Sequence, residues 1–454
     1  MSGVLFSEME LRRIAHRVLK ECTGDQAEVL LLARTGSLTR FANSAVHQNV
    51  TSRECDVRVR VVKGRRRAIA TTNRLDDDGL RRVAATASDL AGRAPEDPTF
   101  GGLPAPRPIA KAPSAYVERT AEATPMDRGR AAKVLCDAAR RAGLRAAGFV
   151  STNVQEVAVA NTLGTWAYAP ETTSEAQIAA IGDDGSAYAQ RVALDFGQLD
   201  VAGAASEAVE KAKLAQKPHD MPPGEYEVLL APYAVYDIVA FLCGQLTGLA
   251  IEEGRSFVGG KIGEKVTGPV TIVDDPFDPA GLPRGFDFEG QPSERITLIE
   301  NGVAKAVVYD SATAHRTGNR NTGHALPPNP FMPASPMHRR LEPGDKTRAE
   351  LMKDIKKGVL VTRFWYTRWV HQLRTIVTGM TRDGTFAIED GQMAYAVKNF
   401  RFTQSYHEAL AGVRGISKDL TLLLPGESFG LQATSARVPA LHLASFNFTG
   451  ATRY

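Results

Sequence analysis

The sequence predicts an α+β protein: an N-terminal helix-plus-sheet domain over 1–220, then a mostly β C-terminal domain, barrel-like or a curved sheet, over 221–454. Three observations carry this. Helical and strand patterns come in groups instead of alternating as βαβ units. A Pro222-Pro223-Gly224 turn punctuates the chain before a strand-like run at 225–232. At 454 residues the chain exceeds one ordinary core.

Within the first domain, Ser7 and Glu10 have the spacing of a capping box. The helix they start runs to about Glu21 with Leu11, Ile14, Ala15 and Val18 inward. Residues 27–33 read as one strand and 37–48 as a second, amphipathic one. Strict alternation over 56–62 marks another, which turns at Lys63-Gly64-Arg65 and returns through 68–70. A helix over 76–90 buries Leu80, Val83, Ala84 and Ala87; a Pro-rich linker fills 94–113, and a helix runs from Thr124 to near Gly143. Strands follow at 145–151, 154–161, 164–169, 173–181 and 187–194, and a helix over 204–214 closes the domain.

In the second domain the strand is followed by an apolar helix from Tyr233 to about Leu249 and a Gly-rich loop over 254–263. A strand at 270–273 precedes two related hairpins, one turning on Asn301-Gly302 and one on Asp390-Gly391, each calling for positive φ at the turn. Thr381-Arg382-Asp383-Gly384 reads as a third turn in a meander over 375–402, and strands at 417–424 and 440–446 complete the sheet. Between the first hairpin and the meander lies a long loop, 311–345, with five prolines from Pro327 to Pro336, Pro330 among them. A loop of that length either lines a cleft or wraps the domain.

Composition narrows the function classes. A hydrophobic fraction of 43% and a charged fraction of 23% are those of a globular protein, and the net charge of +4 is spread along the chain. Nucleic acid is therefore not the expected partner. Lys63, Arg65, Arg66 and Arg67 form the one dense basic cluster, which without interleaved aromatics reads as a solvated hairpin tip. Cys22, Cys55, Cys136 and Cys243 are widely spaced and read as reduced thiols. No membrane span or leader is seen, so a cytoplasmic protein is expected.

The nine histidines include no HxxxH pair and no HExxH. His315, His324 and His338 share the long loop but lack a cysteine or paired carboxylate, which argues against a metal there. The aromatic run of Phe364, Trp365, Tyr366 and Trp369, followed by His371, reads as a packed core edge. No P-loop or nucleophile elbow is present, and Gly259-Gly260 lacks the context of a nucleotide site. Between Tyr233 and Gly263 there is no histidine, and the acids are Asp237, Glu252 and Glu253.

An ordered set of motifs resembles the TldD/TldE (PmbA) family, labelled modulators of DNA gyrase and regarded as peptidases. The set comprises Phe41-Ala42-Asn43 with His47-Gln48, the run 97–104, the Ala160-Asn161 turn, the run 224–232, Ile299-Glu300-Asn301-Gly302 and Thr322-Gly323-His324-Ala325. It continues through Thr378-Gly379, Asp383-Gly384, Glu389-Asp390-Gly391, Val397-Lys398-Asn399 and Arg401-Phe402, covering nearly the whole chain. The resemblance implies two kinds of member that pair to hydrolyse peptides. The TldD kind carries H-E-x-x-x-H on the helix opening the C-terminal domain and a cysteine ligand near the C-terminus. Here the corresponding helix, about 239–244, has no histidine or glutamate, and Cys243 is the last cysteine. A catalytic zinc needs three ligands and a general base. The resemblance thus implies a TldE/PmbA-type subunit with no catalytic residue and no metal or other cofactor of its own, completing the cleft of a zinc-bearing H-E-x-x-x-H partner. A stand-alone peptide-binding homodimer, holding peptide by strand addition, and a peptidase with an unrecognised site are the alternatives. Contacts to a peptide or unfolded-protein substrate are expected from Arg316, Asn319, Arg320 and His324 on the loop and from Arg374 and Arg382 on the meander.

Overall fold

The computed structural model describes residues 4–328, 332–425 and 433–451; Pro330 lies outside them. Helix α1 (Glu8–Glu21) starts at the expected capping box: Ser7 Oγ accepts from the Glu10 amide at 3.2 Å, and Glu10 accepts from the Ser7 amide at 2.8 Å. Strands β1 (Gln26–Ala42), β2 (Ala45–Lys63) and β3 (Arg66–Thr72) follow as a meander. The sequence divides the first of these into 27–33 and 37–48, but the chain runs as one strand and reverses at Asn43 and Ser44, with φ of 49° and 59°. Its polar middle persists as strand because β2 on one side and the later strand Arg145–Asn161 on the other pair with it.

Asp76 caps α2 (Asp77–Arg93), and the linker that follows has no regular structure before the short α3 (Glu118–Ala121). Thr124 and Asp127 form a second capping box at α4 (Pro125–Arg141). Strands β4 (Arg145–Asn161), β5 (Trp166–Ile181) and β6 (Ser186–Ala193) precede α5 (Val201–Leu214). Here too four expected strands are two long ones, for the same reason.

These six strands form one antiparallel sheet, ordered β3-β2-β1-β4-β5-β6. Alternation sends Val29, Leu31, Val57 and Val59 against α1 and α2, and Phe41, Val150, Ala176 and Ile178 against α4 and α5, all on one face. The other face is also covered: Leu30, Leu32, Val157 and Val159 pack on Phe286, Phe288 and Met337 from the C-terminal half.

That half opens with β7 (Gly224–Leu230) and α6 (Pro232–Cys243), then α7 (Gly248–Glu252). The single helix expected over 233–249 is two. Gly244 ends the first, the Gln245 carbonyl accepts from Ser256 Oγ at 2.6 Å, and Thr247 caps the second. Strands β8 (Ile272–Asp274), β9 (Ile296–Glu300) and β10 (Val303–Ala304) come next, the last two joined by the expected turn, with φ of 46° at Asn301 and 84° at Gly302. The segment read as a long loop contains α8 (Ser311–Thr317), capped by Asp310, and β11 (His338–Leu341), held between β8 and the later strand Ser435–Val438.

After α9 (Arg348–Lys353) come the long β12 (Lys357–His371) and β13 (Ile376–Glu389), then β14 (Gln392–Ala396) across the second expected turn, with φ of 47° at Asp390 and 77° at Gly391. The third expected turn, 381–384, lies inside β13. Asp383 and Gly384 do take positive φ, but as an irregularity in the strand, since Asp383 is bound by Arg363 and accepts from Ser186 Oγ at 2.6 Å. The remaining elements are β15 (Phe400–Ser405), α10 (Tyr406–Ala411), β16 (Val413–Ile416), β17 (Thr421–Leu423), β18 (Ser435–Val438) and β19 (Leu441–Ala451).

Two sheets result: β10-β9-β8-β11-β18-β17, and β12-β7-β19-β15-β13-β14. In the second, β13 also pairs with β12, which closes the ring β12-β7-β19-β15-β13. The main C-terminal core joins α6 to one side of this ring, where Phe364, Phe402, Phe446 and Phe448 stack at centroid separations of 4.6–5.3 Å. Phe446 is fully buried between three of these rings. Phe446→Ala is expected to cost about 3–5 kcal/mol, read as a fall in the urea midpoint of the C-terminal transition. A midpoint close to wild type contradicts the packing.

Candidate functional site

Helix α6 is where the sequence raises the question of a metal. Pro232 starts it, and Val235, Ile238, Val239, Leu242 and Cys243 are buried. Its acid, Asp237, accepts from Thr367 Oγ at 2.8 Å and from the Tyr406 hydroxyl at 2.7 Å. Burial pushes its pKa up to about 6. The Cys243 thiol is pushed up to about 12, again by burial. Among the described residues no three of His, Cys, Asp and Glu are gathered so as to hold a metal ion. These side chains do not fit a zinc centre, because the carboxyl is committed to two hydroxyls and the thiol is held protonated.

The residues singled out on the long loop are mostly engaged elsewhere. Arg316 lies on α8 and makes two 2.6 Å bonds to Glu252. Asn319 donates to the Thr317 carbonyl at 3.1 Å, and exposed Arg320 pairs with Glu294. His324 departs from the expected substrate contact: it is fully buried, with Nε2 at 2.9 Å from Asp274 Oδ2 and Nδ1 at 2.8 Å from the Thr322 carbonyl. Asp274 in turn accepts from the His338 amide at 2.6 Å, so this histidine ties a loop to β8 and β11 and offers nothing to a substrate. His338 is buried as well, which pushes its pKa down to about 4, while His315 is exposed on α8.

Arg374 is exposed near the tip of the β12–β13 hairpin, away from the loop residues in sequence and environment. The aromatic run leading there is only half core: Phe364 is buried and Trp369 packs on Phe241, but Trp365 and Tyr366 are exposed.

Arg382 is different, because it lines a cleft of about 790 Å³. The walls are the β5–β6 turn (181–186), the β13 segment 382–385 and the 396–399 link, with Arg145, Lys398 and Arg401 as further cations. Lys398 pairs with Asp220, and Arg382 lies 4.8 Å above the Trp365 ring. Asp183 and Asp184 add carboxylates on the turn. The cleft thus offers guanidinium groups for carboxylates or carbonyls and acids for an amine. Sequence reasoning missed Arg145, Lys398 and Arg401 because they come from separate segments that only the fold unites. A smaller hollow of about 540 Å³ lies at the end of α6, bordered by Phe241, Gln245, Arg255, Met332, Trp369 and Gln372.

The covered face of the first sheet carries buried polar groups. Arg284 bonds Glu171 at 3.1 Å; Arg60 lies 3.5 Å from Glu28 and 3.1 Å from Glu289. Glu175 accepts from Gln190 at 2.6 Å, and burial pushes its pKa up to about 7. The basic hairpin tip is neutralised locally: Arg66 pairs with Glu96, and Arg67 pairs with Asp97 and lies over Phe100.

Family models match most of the chain. The PmbA/TldA metallopeptidase domain 1 matches residues 27–91, the central domain 114–216 and the C-terminal domain 223–450. The chain belongs to the PmbA/TldD family. A metalloprotease of Methanothermobacter thermautotrophicus is 28% identical over 230 residues, 47% of each chain. A metalloprotease of Methanocaldococcus jannaschii is 24% identical over 231 residues, 48% of this chain and 49% of that one. These matches span about half of those relatives' length. In fold, the chain is similar to TldE from Thermococcus kodakarensis, with a TM-score of 0.86 at 20% identity, covering 98% of this chain and 100% of that one. It is similar also to a putative modulator of DNA gyrase from Bacteroides thetaiotaomicron, with a TM-score of 0.83 at 19% identity, covering 97% and 99%. No helix among the described residues is long and apolar enough to cross a membrane.

The raised pKa of Glu175 fixes a sign. Folded, it holds its proton up to about pH 7; unfolded, it releases it near the ordinary carboxylate value of 4.5. Its contribution to stability is therefore lost as pH rises between those values and stays lost above. Glu175→Gln removes that loss. The variant is expected to gain on wild type by about 1–3 kcal/mol at pH 8 and by little at pH 4.5, measured as paired urea midpoints. A difference independent of pH contradicts the burial argument.

Proposed function

We propose that this chain is the non-catalytic, TldE/PmbA-type subunit of a two-chain metallopeptidase, shaping the substrate cleft of a partner that carries H-E-x-x-x-H and the zinc. The observation that carries the reading is α6: on a family frame with metallopeptidase relatives, this helix has Asp237 tied to Tyr406 and Thr367, and no histidine. The names of the relatives, metalloprotease for two sequences and TldE for a structure, support the class. The substrate is a peptide or unfolded segment. Its contact on this chain is the arginine-lined cleft, with Arg382 as the residue that grips a carboxylate or carbonyl.

Metal analysis and a peptide-cleavage assay, on the purified chain and on the chain co-expressed with an H-E-x-x-x-H paralogue, test this. Zinc and cleavage are expected in the complex alone. Stoichiometric zinc and cleavage in the isolated chain overturn the reading. Arg382→Ala is expected to weaken peptide binding by the complex about 10-fold or more, the loss of one charge-assisted hydrogen bond. Measured by calorimetry, an unchanged affinity removes the cleft from the substrate path.

A further inference from the structure

The β12–β13 hairpin outgrows the ring it belongs to. β7 pairs with β12 only over Gly358 to Val361, so from Thr362 to His371 the described residues give β12 a single strand neighbour, β13. This arm exposes large apolar groups: Trp365 at 42%, Tyr366 at 66%, Val370 at 58% and Leu373 at 47% of their surface. Met332, 45% exposed, adds to them beside the 540 Å³ hollow, which Trp369 and Gln372 border near the arm's tip. From Phe364 to Arg382 there is no Asp or Glu, against Arg368, His371, Arg374 and Arg382. Arg382 meets Asp383 at 3.7 Å, but among the described residues Arg368 and Arg374 form no ion pair, and an apolar surface flanked by such cations is an unusual thing to leave in water.

Three features narrow the occupant. The arm is not set up to stack bases. Trp365 already holds the guanidiniums of Arg363 and Arg382, each 4.8 Å from its centroid, and Tyr366 holds that of Arg368 at 4.2 Å. The remaining exposed groups, Val370, Leu373 and Met332, are aliphatic, which suits a protein surface. A second copy is disfavoured too. A twofold contact sets one patch against the same patch, so the cations of one arm would face a surface carrying the same charge and no acid from this segment. The free edge is also broken by Tyr366, at φ 56° with a register shift between Trp365 and Arg368, a device that blocks edge-to-edge pairing of like strands. What fits is a different protein with apolar groups ringed by carboxylates.

We propose that the 362–375 arm is the docking surface for a heterologous protein whose contact face is apolar and acid-rimmed. Resting on the function proposed above, that protein is the metal-bearing paralogue. The outer half of the arm is fixed to α6 by the Thr367–Asp237 bond and by Trp369 on Phe241, so docking there is transmitted to the helix beside the hollow.

The test compares wild type with Val370→Glu/Leu373→Glu and, separately, Arg368→Glu/Arg374→Glu. All four side chains are exposed, and melting temperatures confirm that the variants fold. Affinity for the co-purified H-E-x-x-x-H paralogue is measured by biolayer interferometry at two salt concentrations. Both variants are expected to bind about 10-fold more weakly or worse. Only the arginine pair is expected to flatten the salt dependence. Wild-type affinity in both variants overturns the arm and leaves the subunit reading standing. Failure of the wild-type chain to bind the paralogue overturns both. If sedimentation shows that wild type self-associates and the arm variants are monomeric, the occupant is a second copy and the proposal is wrong. Loss of binding to a single-stranded oligonucleotide, in place of the paralogue, overturns it equally.

Discussion

The covered second face of the first sheet is the constraint on which the rest of this structure turns. Helices already occupy one face, so the other meets water or the C-terminal half, and Leu30, Leu32, Val157 and Val159 send it to Phe286, Phe288 and Met337. That contact also buries several of the polar groups that share the face. Glu28, Glu171 and Glu175 are sealed in and must find partners across or along the junction. Arg60 and Arg284 supply two of them, and Gln190 the third. An ion pair of this kind adds little net stability over an apolar pair, but losing one partner strands a charge. The junction is therefore specific more than it is strong, and it fixes how β5, β6 and β13 meet. The Ser186–Asp383 bond and the Arg363–Tyr188 contact continue it to the mouth of the arginine-lined cleft.

What the sequence discloses and what it conceals follow from the range of the interactions. Capping at Ser7 and Thr124 and the turns at Asn301-Gly302 and Asp390-Gly391 are settled within a few residues, and these are legible. The long strands are not, because polar stretches near Gly36 and Asn153 resemble breaks until neighbours on both sides hold them extended. Asp383-Gly384 misleads for a related reason. Its backbone does turn locally, yet Arg363 and Ser186 hold it within a strand. His324 shows the same limit for function: a histidine among Arg and Asn side chains reads as a surface group, and only its distant partner Asp274 makes it a core residue. The cleft was nearly invisible. Of its cations, Arg382 alone is legible in the sequence, since Arg145, Lys398 and Arg401 come together only after the two halves of the chain have packed.

The absence of histidine from α6 is more than a subtraction. A helix that presents ligands to a metal must turn polar groups toward an open site. In this chain the same helix commits Val235, Ile238, Val239, Leu242 and Cys243 to the core, and its acid to holding two other elements. Through Asp237, α6 grips Thr367 in the hairpin arm and Tyr406 at the start of α10. Burial holds much of that carboxyl's proton at mildly acid pH, so the grip contains its own donor as well as two acceptor oxygens. On the function proposed above, the element that a zinc-bearing subunit uses for chemistry serves here as a foundation for the surface that receives that subunit. Restoring histidines to α6 would then have to empty part of the core and release the arm, which is a physical reason for the two roles to reside in separate chains.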